Sequence, residues 1–409
     1  MPDMQTRRRA GVIRLLSDLV ACPSVNPAGR QSFGPPFGED RLVALLRDML
    51  ESWSAKVQTV EVAPNRPNLV AFWPGEDSSR TLLFEAHGDT VGVEEMDIEP
   101  FEPVVRKGRL YGRGACDTKG PMAAVLTAIR EVIERRRRPP VNVCFACTAD
   151  EEFGGAGVRR LIADGFEADA AIVAEPTGLA IVNMSKGAVR WCLRTRGVAA
   201  HSATPEKGIN AIEHMGHVIA RITGPMRSRL HRRSHPLLGH PTVCIGKISG
   251  GTQVNVVPAE CVIEIDRRML PGEDRRSARS DLDRELGFLA RKIRGFDFSI
   301  EETQYYPPLE RCPDSHIVRI LRRACEKHLG RATLAAETFA SDAGFLDEAG
   351  IPSVVFGPGS IERAHTTSEW IEVAEVCRAV DVYAAAICHF AEETAEQRSA
   401  GRKAAGRGS

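Results

Sequence analysis

The sequence predicts an α/β protein: an open mixed sheet with helices on both faces, into which a smaller α+β domain is inserted. Continuous apolar runs alternate with helical periodicity in the first half, and the same texture returns near the end. The stretch between them switches to strands of alternating polarity. At 409 residues the chain exceeds one ordinary core, so two domains are expected.

The first segment, "MPDMQTRRRAGVIRLLSDLVACPSV", places basic residues before an apolar stretch, as a signal peptide does. Arg14 and Asp18 interrupt that stretch, however, and Val12, Leu15, Leu16 and Leu19 fall at helical spacing, so it reads as an amphipathic helix. The runs "NLVAFW" (68–73), "TLLFEAH" (81–87), "VNVCFACTA" (141–149) and "AAIVAE" (170–175) read as strands of a parallel sheet buried on both faces. After Met122, the residues Val125, Leu126, Ile129 and Ile133 mark one face of a helix. The basic run Arg135 to Arg138 ends that helix and complements its dipole, and a shorter helix follows Gly157. A helix around Ile317 to Leu329 and a strand "IPSVVFG" (351–357) resume the pattern.

In the middle, Val189, Trp191 and Leu193 alternate with Arg190, Cys192 and Arg194, and Cys261, Ile263 and Ile265 alternate with Val262, Glu264 and Asp266. Helical patterns through Ala211, Met215, Val218, Ile219 and Ile222, and through Leu282, Leu286, Leu289 and Ile293, interleave with these strands. The order strand, helix, two strands, helix, strand is ferredoxin-like. It places an inserted domain at 184–302, between a first segment of the larger domain at 1–183 and a second at 303–390. The last stretch, 391–409, has almost nothing to bury and is expected to be a disordered tail.

Composition narrows the function classes. Fifty-four basic and 54 acidic residues balance to zero, which points to neither nucleic acid nor a membrane surface as partner. No uninterrupted apolar segment approaches the roughly 18 residues of a membrane span. Eleven scattered cysteines suit a reducing, cytoplasmic compartment. The one close pair, Cys144 and Cys147 in "CFAC", lies inside an apolar strand and reads as buried structural thiols.

In open α/β sheets functional groups gather beyond the carboxyl ends of strands. Here "FEAHGDTVG" delivers His87 and Asp89, "YGRGACDTKG" delivers Asp117, and "CTADEEFGG" delivers Glu151 and Glu152. "AAIVAEPTG" adds Glu175 and "GPGSIERAH" adds His365. Each has an innocent reading alone, such as a surface histidine or a helix-capping aspartate. Together, two histidines and three or four carboxylates are what a pair of zinc-like ions needs, and that many acids at buried strand ends would repel one another without cations. Adjacent residues on an extended segment face opposite ways, so Glu151 and Glu152 are expected to do different jobs.

These motifs, with "ACPSVNPAG", "GVAAHSATP" and "QVNVVP" in the same order, resemble the co-catalytic zinc family of acetylornithine deacetylase, succinyl-diaminopimelate desuccinylase and carboxypeptidase G. The resemblance runs from about residue 21 to about residue 372 and implies a zinc-peptidase-like fold with an inserted lid or dimerisation domain. It implies Glu151 as general base, Asp117 as the bridge between two metals, and Asp89 as the group orienting His87. His87 and Glu175 would complete one metal site, and Glu152 and His365 the other. His201 would stabilise the oxyanion, while Asn255 and Arg268 would hold the substrate, Arg268 gripping a carboxylate with its planar fork.

The resemblance further implies two divalent ions, zinc by default with cobalt or manganese as alternatives, and a homodimer formed through the inserted domain. The expected reaction is hydrolysis of the amide bond of an N-acyl amino acid bearing a free carboxylate. Within the family the alternatives are a dipeptidase, a glutamate carboxypeptidase or an N-carbamoyl amino acid hydrolase; outside enzymes, an inactive small-molecule binding protein on the same scaffold. Thr118, the "HTTSE" segment and the "SDAGF" segment depart from commoner family patterns without touching a ligand position.

Overall fold

The structure, a computed structural model, describes residues 4–30 and 34–405, with backbone alone for residue 4 and residues 393–405. The chain forms two compact units, one ending at Asn183 and resuming at Arg311, the other comprising Met184–Glu310 with Ala336–Ala340. This second unit is longer than the 184–302 read from the sequence. Its last strand continues to Tyr306, and a short later segment returns to it.

In the first unit the sheet runs in the order Lys56–Ala63, Arg66–Trp73, Val141–Thr148, Asp77–His87, Ala170–Val173, Ser353–Val355 and Ile181–Ser185. All eight residues of Val141–Thr148 are buried, as expected of a strand covered on both faces. Helices Met4–Val20, Lys119–Arg136, His316–Leu329 and Val373–Ala405 pack together on one side. Asp40–Ser52, Ala156–Ala163 and Asp342–Glu348 cover the other. The first helix buries Val12, Leu16, Leu19 and Val20. Arg135 and Arg136 occupy the last turn of Lys119–Arg136, where cations offset the helix dipole.

The four apolar runs are not all parallel. Asp77–His87 runs parallel to Val141–Thr148 and Ala170–Val173, but Arg66–Trp73 is antiparallel to Val141–Thr148 and to Lys56–Ala63. An apolar run reports burial on both faces, which is compatible with either direction. The edge strand Lys56–Ala63, half-exposed along its length, carried no such signal.

The second unit is a four-stranded antiparallel sheet in the order Thr242–Gly250, Glu260–Met269, Gly187–Arg196, Asp297–Tyr306, with helices Ala211–Arg221 and Arg275–Lys292. Trp191, Ile263 and Ile265 are buried, whereas their neighbours Arg190 and Glu264 are not. The expected tail is corrected as far as Ala405, where the backbone is helical; residues 406–409 lie outside the described residues. The alanines, glutamates and arginines of that stretch are strong helix formers, so helix needs no burial there.

Candidate metal centre

Strand register places the candidate ligands at one edge of the sheet. His87 lies level with Thr148, and Glu85 with Val173, so the chain segments leaving these strands carry Asp89, Glu151, Glu152 and Glu175 out together. Asp117 comes from the loop before helix Lys119–Arg136, and His365 from the loop after Ser353–Val355.

Asp117 divides its two oxygens between two histidines. His87 Nε2 lies 3.0 Å from Oδ1 and His365 Nε2 lies 3.2 Å from Oδ2. His87 Nε2 is also 3.7 Å from Glu175 Oε1, and His365 Nε2 is 3.0 Å from Glu152 Oε2. Donors bound to one ion at about 2.0–2.2 Å stand roughly 3–3.5 Å apart. The residues therefore fit two ions joined by Asp117, with mixed imidazole and carboxylate donors suited to a borderline metal.

Electrostatics agrees. Burial, together with the charges of Glu175, Asp342 and Glu152, pushes the Glu151 carboxyl well above its ordinary range. Burial and the nearby Asp117 and Glu85 do the same to Glu175. Asp117 is held low against its burial by hydrogen bonds with His365 and His87. Divalent cations would relieve the repulsion in this cluster.

Two expectations need correction. Glu151 and Glu152 sit on a turn beyond the strand, not on an extended segment. Asp150 adopts a left-handed conformation (φ 69°) there, so strand alternation does not separate the two glutamates. His87, Glu151 and Glu175 bring ligand atoms within 4.8 Å of one another, as do His87, Asp117 and Glu152. By distance alone, Glu151 stands within reach of an ion held by His87 and Glu175.

Asp89 orients His87 through its backbone, since His87 Nδ1 lies 3.0 Å from the Asp89 carbonyl and 3.6 Å from Oδ1. The Asp89 carboxylate, held at a pKa of about 2 against burial by His87 and Arg66, also accepts the backbone N–H groups of Glu151 and Glu152, each at 3.1 Å.

A surrounding ring was not found in the sequence. Asn26 Nδ2 donates to Asp89 at 2.7 Å and to Asp150 at 3.1 Å, while Arg66 joins Asp150 at 2.6 Å to Glu39. Such groups fix ligands without touching a metal. Buried Glu369 likewise accepts backbone N–H groups from the Asp117 loop. Its only signal was an acid four residues beyond His365.

The chain matches peptidase family M20/M25/M40 over residues 83–389. It belongs to that family. It is 32% identical to an acetylornithine deacetylase of Proteus mirabilis over 371 residues, covering 88% of this chain and 92% of the relative. It is 30% identical to one of Yersinia pestis over 397 residues, covering 93% and 98%. Among solved structures, an M20 metallo-carboxypeptidase from Sulfolobus solfataricus superposes with a TM-score of 0.77 at 19% identity, covering 95% of this chain and 100% of that one. A Bacillus subtilis M20 peptidase described as dinuclear metal binding gives 0.68 at 19%, covering 93% and 98%. These structures support the fold, a zinc-peptidase-like sheet with an inserted domain. As an M20 enzyme the protein hydrolyses amide bonds.

The remaining candidates of this M20 chain lie in the second unit. His201 is exposed, its Nδ1 accepting from Ala203 N at 3.1 Å, and Asn255 is exposed with its carbonyl accepting from Ser202 N. Arg268 is half-buried, its Nε 2.8 Å from Asp266 Oδ1, and it lines a pocket of about 360 Å³ with Lys186, Thr242, Thr338 and Phe339. Arg267 faces the core instead, fully buried against Glu273 at 2.9 Å. Burial, then the charges of Arg267 and Arg268, depress the Lys186 ammonium. Cys144 and Cys147 are buried on their strand, and burial pushes the Cys144 thiol to about 12. Among the described residues no helix is long and apolar enough to cross a membrane.

Proposed function

We propose that the protein removes the acyl group from an N-acyl amino acid with a free carboxylate, in the manner of acetylornithine deacetylase, using a water activated between two divalent ions. The observation that carries this is Asp117 facing His87 and His365 with opposite oxygens, at 3.0 and 3.2 Å. The two relatives at about 30% identity, both named acetylornithine deacetylase, support the deacylase reading.

His87 and Glu175 would hold one ion, Glu152 and His365 the other, and Asp117 both. Zinc fits these donors by default, with cobalt or manganese as alternatives. When bound, the ions would lower the pKa of the attacking water toward about 7 and polarise the amide carbonyl. Glu151 would take a proton from the attacking water and return it to the leaving amine, a role worth about 10²–10⁴ in rate. Asp89 keeps Glu151 and Glu152 in place through their backbone N–H groups. His201 donates to the developing oxyanion, Asn255 binds the substrate, and Arg268 grips its carboxylate. The pocket that Arg268 shares with Lys186, two basic side chains among its lining, supports an anionic substrate group.

The reading extends to a homodimer through the inserted domain, whose edge strand Thr242–Gly250 is largely exposed, Ile248 by 58%. It also places the enzyme in the cytoplasm, consistent with eleven unpaired cysteines. Metal content per chain, measured with hydrolysis of N-acyl amino acids and dipeptides before and after chelation, tests the proposal. Hydrolysis of N-acetylornithine or its analogues, lost to chelator and restored by zinc or cobalt, is expected. Cleavage of dipeptides alone would instead favour a peptidase, and neither metal nor turnover would favour a binding protein.

A further inference from the structure

Glu369 is fully buried and spends both carboxylate oxygens on one loop. Oε2 accepts from Gly114 N at 2.9 Å and Arg113 Nη1 at 2.8 Å, while Oε1 accepts from Cys116 N at 2.8 Å and Asp117 N at 2.9 Å. Successive N–H groups converging on an anion form a nest, and the winding that produces it needs Gly114 at φ 79°. A Cβ there would stand 2.8 Å from Thr90. Arg113 extends the clamp, its Nε donating to the Gly92 carbonyl at 3.1 Å and its Nη1 to the Thr366 carbonyl at 3.4 Å. One carboxylate thus ties together the segment after His87, the Asp117 loop and the residues following His365.

The two donor sets depend unequally on this tie. His87 and Glu175 leave buried central strands, and the His87 ring is fixed by the Asp89 carbonyl. His365 sits on a loop at φ 59° with its side chain 51% exposed, and its ring contacts Asp117 and Glu152. We infer that Glu369 is a positioning residue for the loop carrying Asp117, which both sets share, and for the segment carrying His365, and that the set completed by Glu152 and His365 depends on it more than the set completed by His87 and Glu175 does. The inference rests on the two-ion reading above.

The test is titration of the metal-free protein with cobalt(II), followed by visible absorption and by equilibrium dialysis, on wild type, Glu369→Gln and Arg113→Lys. A glutamine amide at 369 would turn its NH2 toward two N–H donors and leave them unpaired. Wild type is expected to take up two ions. In Glu369→Gln the second ion should bind about 10–100-fold more weakly, the usual effect of losing a group that orients ligands, and the first should weaken by less, since Asp117 is the one donor it shares with the disturbed loop. Arg113→Lys should move the second ion in the same direction by less, since the backbone donors remain. Wild type binding fewer than two ions would overturn the two-ion reading, and this inference with it. Two ions in wild type, with unchanged or equally weakened sites in Glu369→Gln, would overturn the inference alone. Should Glu369→Gln fail to fold by circular dichroism, an unchanged second ion in Arg113→Lys would overturn it.

Discussion

His87 and His201 are both candidate active-site histidines, and they are supported in opposite ways. His87 is 1% exposed, with Asp89 O and Asp117 Oδ1 each 3.0 Å from a ring nitrogen. His201 is exposed, and its ring is met by an N–H two residues along its own loop. The same contrast holds between the regions. Candidates of the first unit are held by backbone groups and by buried partners from distant segments, whereas Arg268 leans on Asp266 two residues away and the Asn255 side chain is exposed. A metal centre must be rigid before its ions arrive, because ligand geometry sets its chemistry. Groups that meet a substrate or a second subunit acquire their partners on binding, and their free state is correspondingly open.

The largest expected effect lies in the rigid region. Glu151→Gln should lower kcat by about 10²–10⁴ while both ions remain bound, because the change removes a proton acceptor and keeps the shape. Loss of an ion together with activity would make Glu151 a ligand, as its distances to His87 and Glu175 allow. In the open region, Arg268→Ala should lower kcat/KM by roughly 10–150-fold, mostly through KM, the equivalent of about 1.5–3 kcal/mol for a charge-assisted hydrogen bond. Arg268→Lys should recover only part of this, since a lysine lacks the planar fork. Both variants should leave metal content unchanged; unaltered KM would remove Arg268 from the substrate site.

How much of this the sequence disclosed follows from the same contrast. The strands around His87, Glu151 and Glu175 announced themselves because continuous burial makes continuous apolar runs, and ligands at strand ends follow directly. The inserted domain was legible from the alternation around Trp191 and Ile263. What sequence could not reveal was whose backbone each carboxylate would hold. Asp89, expected to orient His87, meets its ring with a backbone carbonyl at 3.0 Å and a carboxylate oxygen at 3.6 Å, and that carboxylate also holds the glutamate turn. Glu369 looked like any acid before a short strand, because its four donors come from residues about 250 positions away. Long-range hydrogen bonds leave no periodicity behind.

The last expected effect sets protons against ions in the rigid region. Burial opposes a charged His87, but the carboxylates of Glu175 and Asp117 outweigh it and hold its pKa well above the ordinary value. Hydrogen bonds with Asp117 and Glu152 raise His365 to about 10. An ion binds these rings only when its ligating nitrogen is unprotonated, so a raised pKa means that protons compete up to higher pH. Apparent metal affinity should therefore be weakest in acid and climb as pH rises from about 6 toward the His365 value, about tenfold per unit for each proton displaced. Calorimetric titration with zinc in buffers of different ionisation enthalpy, at pH 6, 7 and 8, would read both the climb and the protons released. A flat profile without proton release would mean that neither imidazole must give up a proton to accept an ion. The close histidine and carboxylate pairs would then be ordinary ion pairs, and the rigid region would lose its claim to be built for metal.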